Sequence, residues 1–134
     1  MVDRIACPWL IKNFVDKEAE FLFVPAEKVL EVAQKESAIP FDVQGAELGH
    51  YGDKVSFDAI IKKYNLTDPA LIELAKIVRG ADTANRTLTQ ESPGLYAYAY
   101  GFRQSSRNDN YNMRLQFPAY DALYAFCKMK VQNK

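Results

Sequence analysis

The sequence predicts one α+β domain over residues 1–134, mostly helical, with a small two-stranded parallel sheet of βαβ form. Three observations lead there. Several stretches carry apolar residues at helical spacing. Two short apolar runs, "EFLFVP" (20–25) and "IPFDV" (39–43), bracket one of those stretches. The length of 134 residues suits a single hydrophobic core, with no segment long enough to act as a linker.

Each element follows from local chemistry. Pro8 opens a helical pattern in which Leu10, Ile11 and Phe14 share a face, because proline suits a first helical turn. Residues 20–24 read as a buried strand, "PAEKVLEVAQKES" as a helix, and residues 39–43 as a second strand parallel to the first. Gly45 ends that strand, and ligands favour the carboxyl ends of such strands. Ser56 is placed to cap a helix running to about Tyr64, with Ile60, Ile61 and Tyr64 inward. Asp68 and Pro69 start the next helix, Leu71, Leu74, Ala75 and Val78 form its stripe, and Gly80 is expected to end it. "SPGLYAYAYGF" alternates tyrosines like a strand but opens on Ser92–Pro93 like a helix, and is assigned as helix. "FPAYDALYAFCKMKV" closes the chain as a helix with Cys127 in the core.

Composition narrows the function. Lys plus Arg and Asp plus Glu number 17 each, so the formal net charge is zero. That argues against broad electrostatic capture of nucleic acid or of an anionic membrane. The N-terminal stretch lacks the pattern of a signal peptide, and no apolar run suits a membrane span. The two cysteines are distant and form no CxxC, which makes a cytoplasmic protein with reduced thiols the expectation.

The chemistry centres on "GAELGHYGDKVSFD" (45–58), which holds the only histidine. Glu47 and His50 are spaced as E-x-x-H, a pair that serves metals in some helical bundles. A metal site needs at least a third ligand, and Asp53, Asp58 or Asp82 are available for it. Asp82 follows a helix end, where a carboxylate faces the negative pole of the dipole and calls for a cation: Arg79, Arg86 or a metal. The structural alternatives are that His50 pins a loop and that Asp82 caps its own turn. A carboxylate-rich site suits iron(II) or manganese(II), and a thiolate from Cys7 would move the preference to zinc. Cys7, expected at a helix N-terminus near Arg4, is either a lowered-pKa thiolate and candidate catalytic group or a small buried residue beside Trp9. The many tyrosines serve either a pocket or an aromatic core and rim.

The blocks "DRIACPWLIKNFVD", "AEFLFVP", "IPFDVQGAELGHYGDKVSFD", "DPALIELAKIVRGADT" and "YDALYAFC" resemble, in order and spacing, the ChrB-type C-terminal domain of the chromate-resistance family. The resemblance covers about residues 2–128. It singles out Asp3, Arg4, Cys7, Pro8 and Trp9, then Glu47, His50, Phe57 and Asp58, and last Arg79, Gly80, Ala81 and Asp82. It implies a role in the chromate stress response. Longer members carry an N-terminal region linked to DNA binding, which this chain is expected to lack, so nucleic-acid binding by this chain alone is not expected. Together these readings predict a domain that binds a divalent metal (iron, manganese or zinc) through Glu47, His50 and Asp82. Cys7 or water would complete the shell, and Arg4, Arg79 and Asp3 would stand behind it or hold a small oxyanion such as chromate. The rival is a non-catalytic sensor or interaction module with a structural polar network. Physiological substrate, catalysis and oligomeric state stay open.

Overall fold

Val2, Ile5, Ala6, Trp9 and Leu10 recur at helical spacing, and all are buried. The pattern runs straight through Pro8. In the computed structural model, which describes residues 2–42 and 46–133, this stretch is helix α1 (Asp3–Phe14), with Pro8 inside it. Pro8 therefore does not open the helix as expected. An interior proline costs about 3 kcal/mol through its lost N–H and its clash with the preceding turn. Burial of five side chains from the flanking turns outweighs that, at about 1.5–3 kcal/mol for each of the larger ones.

The expected two-stranded sheet is absent: the described residues form helices and connections, with no strand. Residues 20–25 are an irregular connection into a 3-10 turn, Ala26–Lys28. Leu22 is 56% exposed, so the run lacks the burial that a central strand would need. In the second run, Phe41 makes one isolated parallel bridge, to Leu48 and not to residues 20–24. Asp42 then adopts φ 56°, a left-handed conformation that breaks any extended path. Val43, the last residue of that expected strand, and Gly45, its expected end, lie outside the described residues. Short apolar runs of this kind do not by themselves distinguish a strand from a connection. Between them, α2 (Val29–Glu36) buries only Ala33 and sits at the periphery.

Helix α3 spans Ser56–Lys63. Its N-cap is Val55 rather than the expected Ser56, and the Asp58 carboxylate accepts the Val55 N–H at 3.0 Å. This leaves the Ser56 N–H, an unpaired donor at a helix start, free to reach another element. Ile60 is buried as expected, while Ile61 is half-buried and Tyr64 lies at the edge of exposure.

Helix α4 (Pro69–Asp82) starts where Asp68 accepts the Ala70 N–H at 2.9 Å and Pro69 takes the first turn. Leu71, Leu74, Ala75 and Val78 are buried along it. Gly80 does not end the helix. A Cβ there would lie 2.2 Å from Ser92 Oγ, so glycine is what lets the start of helix α5 (Ser92–Ser105) press against α4. Ser92 Oγ–H donates to the Ile77 carbonyl at 2.9 Å across this contact. Helix α6 (Asp109–Gln132) begins earlier than the sequence suggests, capped by Asn108, which accepts the Tyr111 N–H at 2.9 Å. Trp9 Nε1–H donates to Asp121 at 2.8 Å, and the Trp9 ring packs with Tyr120 and Tyr124, docking α1 on α6. Cys127 is buried in the core. None of the described helices is long and apolar enough to cross a membrane.

Candidate metal centre

Four side chains from three parts of the chain meet at one point. Asp3 comes from the first turn of α1, Asp82 from the last turn of α4, and Asp42 and His50 from the connection before α3. One potential ligand atom from each lies within 4.8 Å of the others. His50 Nε2 is 3.1 Å from Asp82 Oδ2, 3.4 Å from Asp42 Oδ1 and 3.5 Å from Asp3 Oδ2.

Helix ends set the positions. The Asp82 carboxylate sits at the negative end of α4, and the Val2 N–H at the positive end of α1 donates to its Oδ1 at 2.8 Å. The positive end of α1 thus holds a carboxylate that the negative end of α4 disfavours. The Ser56 N–H at the start of α3 donates to Asp3 Oδ2 at 2.9 Å, while Ser56 Oγ lies 3.4 Å from Asp42 Oδ1. Asp3 is fully buried, and its Oδ1 has no hydrogen-bond partner among the described residues.

The electrostatics express the crowding. Burial raises the Asp3 carboxyl to about 7; its hydrogen bond to His50 opposes this, and the neighbouring Asp82 and Asp42 add to it. Burial likewise raises Asp42. The Asp3 carboxylate, with Asp82 and Asp42 beyond it, raises His50 to about 9 against the cost of its partial burial. Three carboxylates around one imidazolium would leave a formal charge of −2 if all were ionised, which the retained protons reduce. A divalent cation has the charge to replace those protons.

The structure brings together three of the residues singled out in the sequence, Asp3, His50 and Asp82. The others lie elsewhere. Glu47 points to Lys63 at 3.3 Å, with its side chain 73% exposed. Arg4 makes a bidentate pair with Asp109, at 2.9 and 2.8 Å. Arg79 makes another with Asp58, at 3.1 and 2.8 Å. Cys7 lies in the second turn of α1 rather than at its start, and it is fully buried. Burial and the nearby Asp3 push its thiol well up, opposite to the activated thiolate considered from sequence. Behind it, the Tyr120 hydroxyl is buried without a partner, its pKa raised by burial and by the negative field of Asp3.

Asp42 is the member that sequence reasoning missed. Its one signal was an aspartate interrupting an apolar run eight residues before the histidine, read there as part of a strand.

Comparison with known proteins agrees with the residue pattern. A family model described as the ChrB C-terminal domain matches residues 1–127. Protein ChrB of Cupriavidus metallidurans is 36% identical over 110 residues, covering 81% of this chain and 32% of that protein. The chain thus spans about a third of the length of that relative. No solved structure matches it. Through the match over residues 1–127, the chain belongs to the ChrB C-terminal domain family associated with chromate resistance.

Proposed function

We propose that this domain binds a divalent metal through His50, Asp3, Asp42 and Asp82, and does so in the cytoplasm as part of the response to chromate. The observation that carries the reading is the convergence of four ligand atoms within 4.8 Å, together with a second Asp3 oxygen, Oδ1, that is buried and without a partner among the described residues. Buried polar atoms are almost always hydrogen-bonded, and a coordinated cation is one way to satisfy this one. The ligand set replaces Glu47 of the sequence reading with Asp3 and Asp42.

One nitrogen and three carboxylates favour iron(II) or manganese(II), and Cys7, protonated and outside the set, gives no thiolate to favour zinc. His50 is about half exposed, which leaves an approach for water or for an oxyanion to coordinate the ion. With Arg4 and Arg79 engaged by carboxylates, an oxyanion would be held mainly by the metal. Elemental analysis of freshly purified protein tests the reading. Near-stoichiometric manganese or iron that falls in His50→Ala supports it. A metal content near zero after loading and desalting overturns it, and would favour a structural polar network in a sensor or interaction module.

A further inference from the structure

Beside the carboxylate cluster, α1, the C-terminal turns of α5 and the N-terminal half of α6 enclose a cavity of about 470 Å3. Helical periodicity builds its walls. Ala99 and Arg103 lie one turn apart on α5, and Asp109, Asn112 and Gln116 follow one face of α6. Among the described residues, the cavity meets the cluster at Asp42 and at Val2, the residue that donates to Asp82.

The cavity is polar where a helical core would be apolar. Asn112 and Gln116 are 7% and 2% exposed, and Gln116 Nε2–H donates to Asn112 Oδ1 at 2.7 Å. A side-chain amide carries two donor hydrogens and an acceptor oxygen, so this one bond uses only part of what the pair offers. Ser106 Oγ, which also lines the cavity, is buried without a hydrogen-bond partner among the described residues. Buried amides and hydroxyls cost free energy unless something uses them.

Charges of both signs line the cavity. Arg4 and Arg103 both act on Asp109 and together hold its carboxyl below the usual carboxylate range. With Arg4 paired to Asp109, Arg103 and the positive end of a 24-residue helix make this part of the cavity favourable to an anion. Asp42 supplies a carboxylate at the boundary with the cluster, close enough to act on Arg4. Val24, Pro25 and Ala99 give an apolar wall. A bare tetrahedral oxyanion would fill only a small part of this volume and would leave that wall wet.

We propose that the cavity binds a small zwitterionic carboxylate of the amino-acid class. Its carboxylate lies toward Arg103 and the start of α6, its ammonium toward Asp42, and its side chain against Val24 and Pro25 within reach of the Asn112 and Gln116 amides. The site shares Asp42 with the proposed metal centre, so its test runs without metal, where that carboxylate is not engaged by an ion.

The test uses the intact chain in buffer freed of divalent metal, with the common amino acids as probes in thermal-shift and calorimetric titrations. At least one should bind saturably and raise the melting temperature, while sulfate should not. For the amino acid that binds, neutralising the carboxylate as the amide, or blocking the ammonium by acetylation, should each weaken binding about tenfold, the effect of losing one charge-assisted contact. Arg103→Gln, a change at an exposed position, should weaken binding similarly and abolish the preference for the acid over its amide. Gln116→Leu should also weaken binding. The proposal fails if no amino acid binds, if the amide or acetylated form binds as well as the parent, or if Arg103→Gln binds with wild-type affinity.

Discussion

His50 Nε2 lies 3.1 Å from Asp82 Oδ2, joining the connection before α3 to the last turn of α4. The same Asp82 accepts the N–H of Val2. One carboxylate thus ties together the start of α1, the end of α4 and the only histidine in the chain.

Metal should stabilise this junction. Manganese(II) at a hundredfold excess over its dissociation constant should add about 2.7 kcal/mol to wild-type stability. His50→Ala and Asp82→Asn should both lose that gain in chemical denaturation with and without metal. An equal gain in wild type and variants would place the ion elsewhere.

The pH dependence has a defined sign. In the metal-free protein, His50 is raised to about 9, so its contribution to stability is complete below about 6.5 and is lost as pH rises through 9. Asp3 is raised to about 7, so the protonated form is favoured by folding and that preference is lost as pH rises through 7. Both act in one direction, and the metal-free melting temperature should fall between pH 6 and pH 9.5. Metal needs the neutral ring and the ionised carboxylate, so the shift produced by manganese should grow over the same interval. A shift that shrinks with rising pH would refute the assignment.

Cys7 should be inert in the native state. It is fully buried, with its thiol pushed well above its ordinary range, and Cys127 is also raised, to about 11. A thiol reagent at neutral pH should label neither until denaturant is added. Rapid labelling of Cys7 in the folded protein would restore the activated-thiolate reading.

Gly80 should be intolerant of a side chain. A Cβ would meet Ser92 Oγ at 2.2 Å and Ser92 Cβ at 2.8 Å, and overpacking of this kind costs about 1–3 kcal/mol. Gly80→Ala should lower the urea midpoint, and Ser92→Gly in the same chain should recover part of the loss. A neutral Gly80→Ala would mean that α5 shifts freely against α4.

Much of the helical architecture was legible because its signals are local. Asp68–Pro69 and the Leu71–Val78 stripe marked α4, and Ser92–Pro93 marked α5. The sheet was not legible, because "EFLFVP" has strand composition without the burial that makes a strand, and Asp42 turns left-handed where the second run should continue. The cluster was legible in part. His50 stood out as the one histidine and Asp82 by its place at a helix end, and Asp3, expected behind them, lies among them. Glu47 satisfied the spacing rule, but in the folded chain it meets Lys63. Asp42 had no periodic or spacing signal, since a left-handed turn and contacts with Leu48 and Ser56, further along the chain, bring it to the cluster.

The hydrogen bond from Val2 to Asp82 spans 80 residues, so the cluster closes a long loop. Closing such a loop costs chain entropy before any contact repays it, which puts the junction late in folding. A cation bound there would stabilise the native state while leaving the folding barrier almost untouched, and its signature would be slow unfolding. The domain would then owe its lifetime, more than its rate of formation, to the ion.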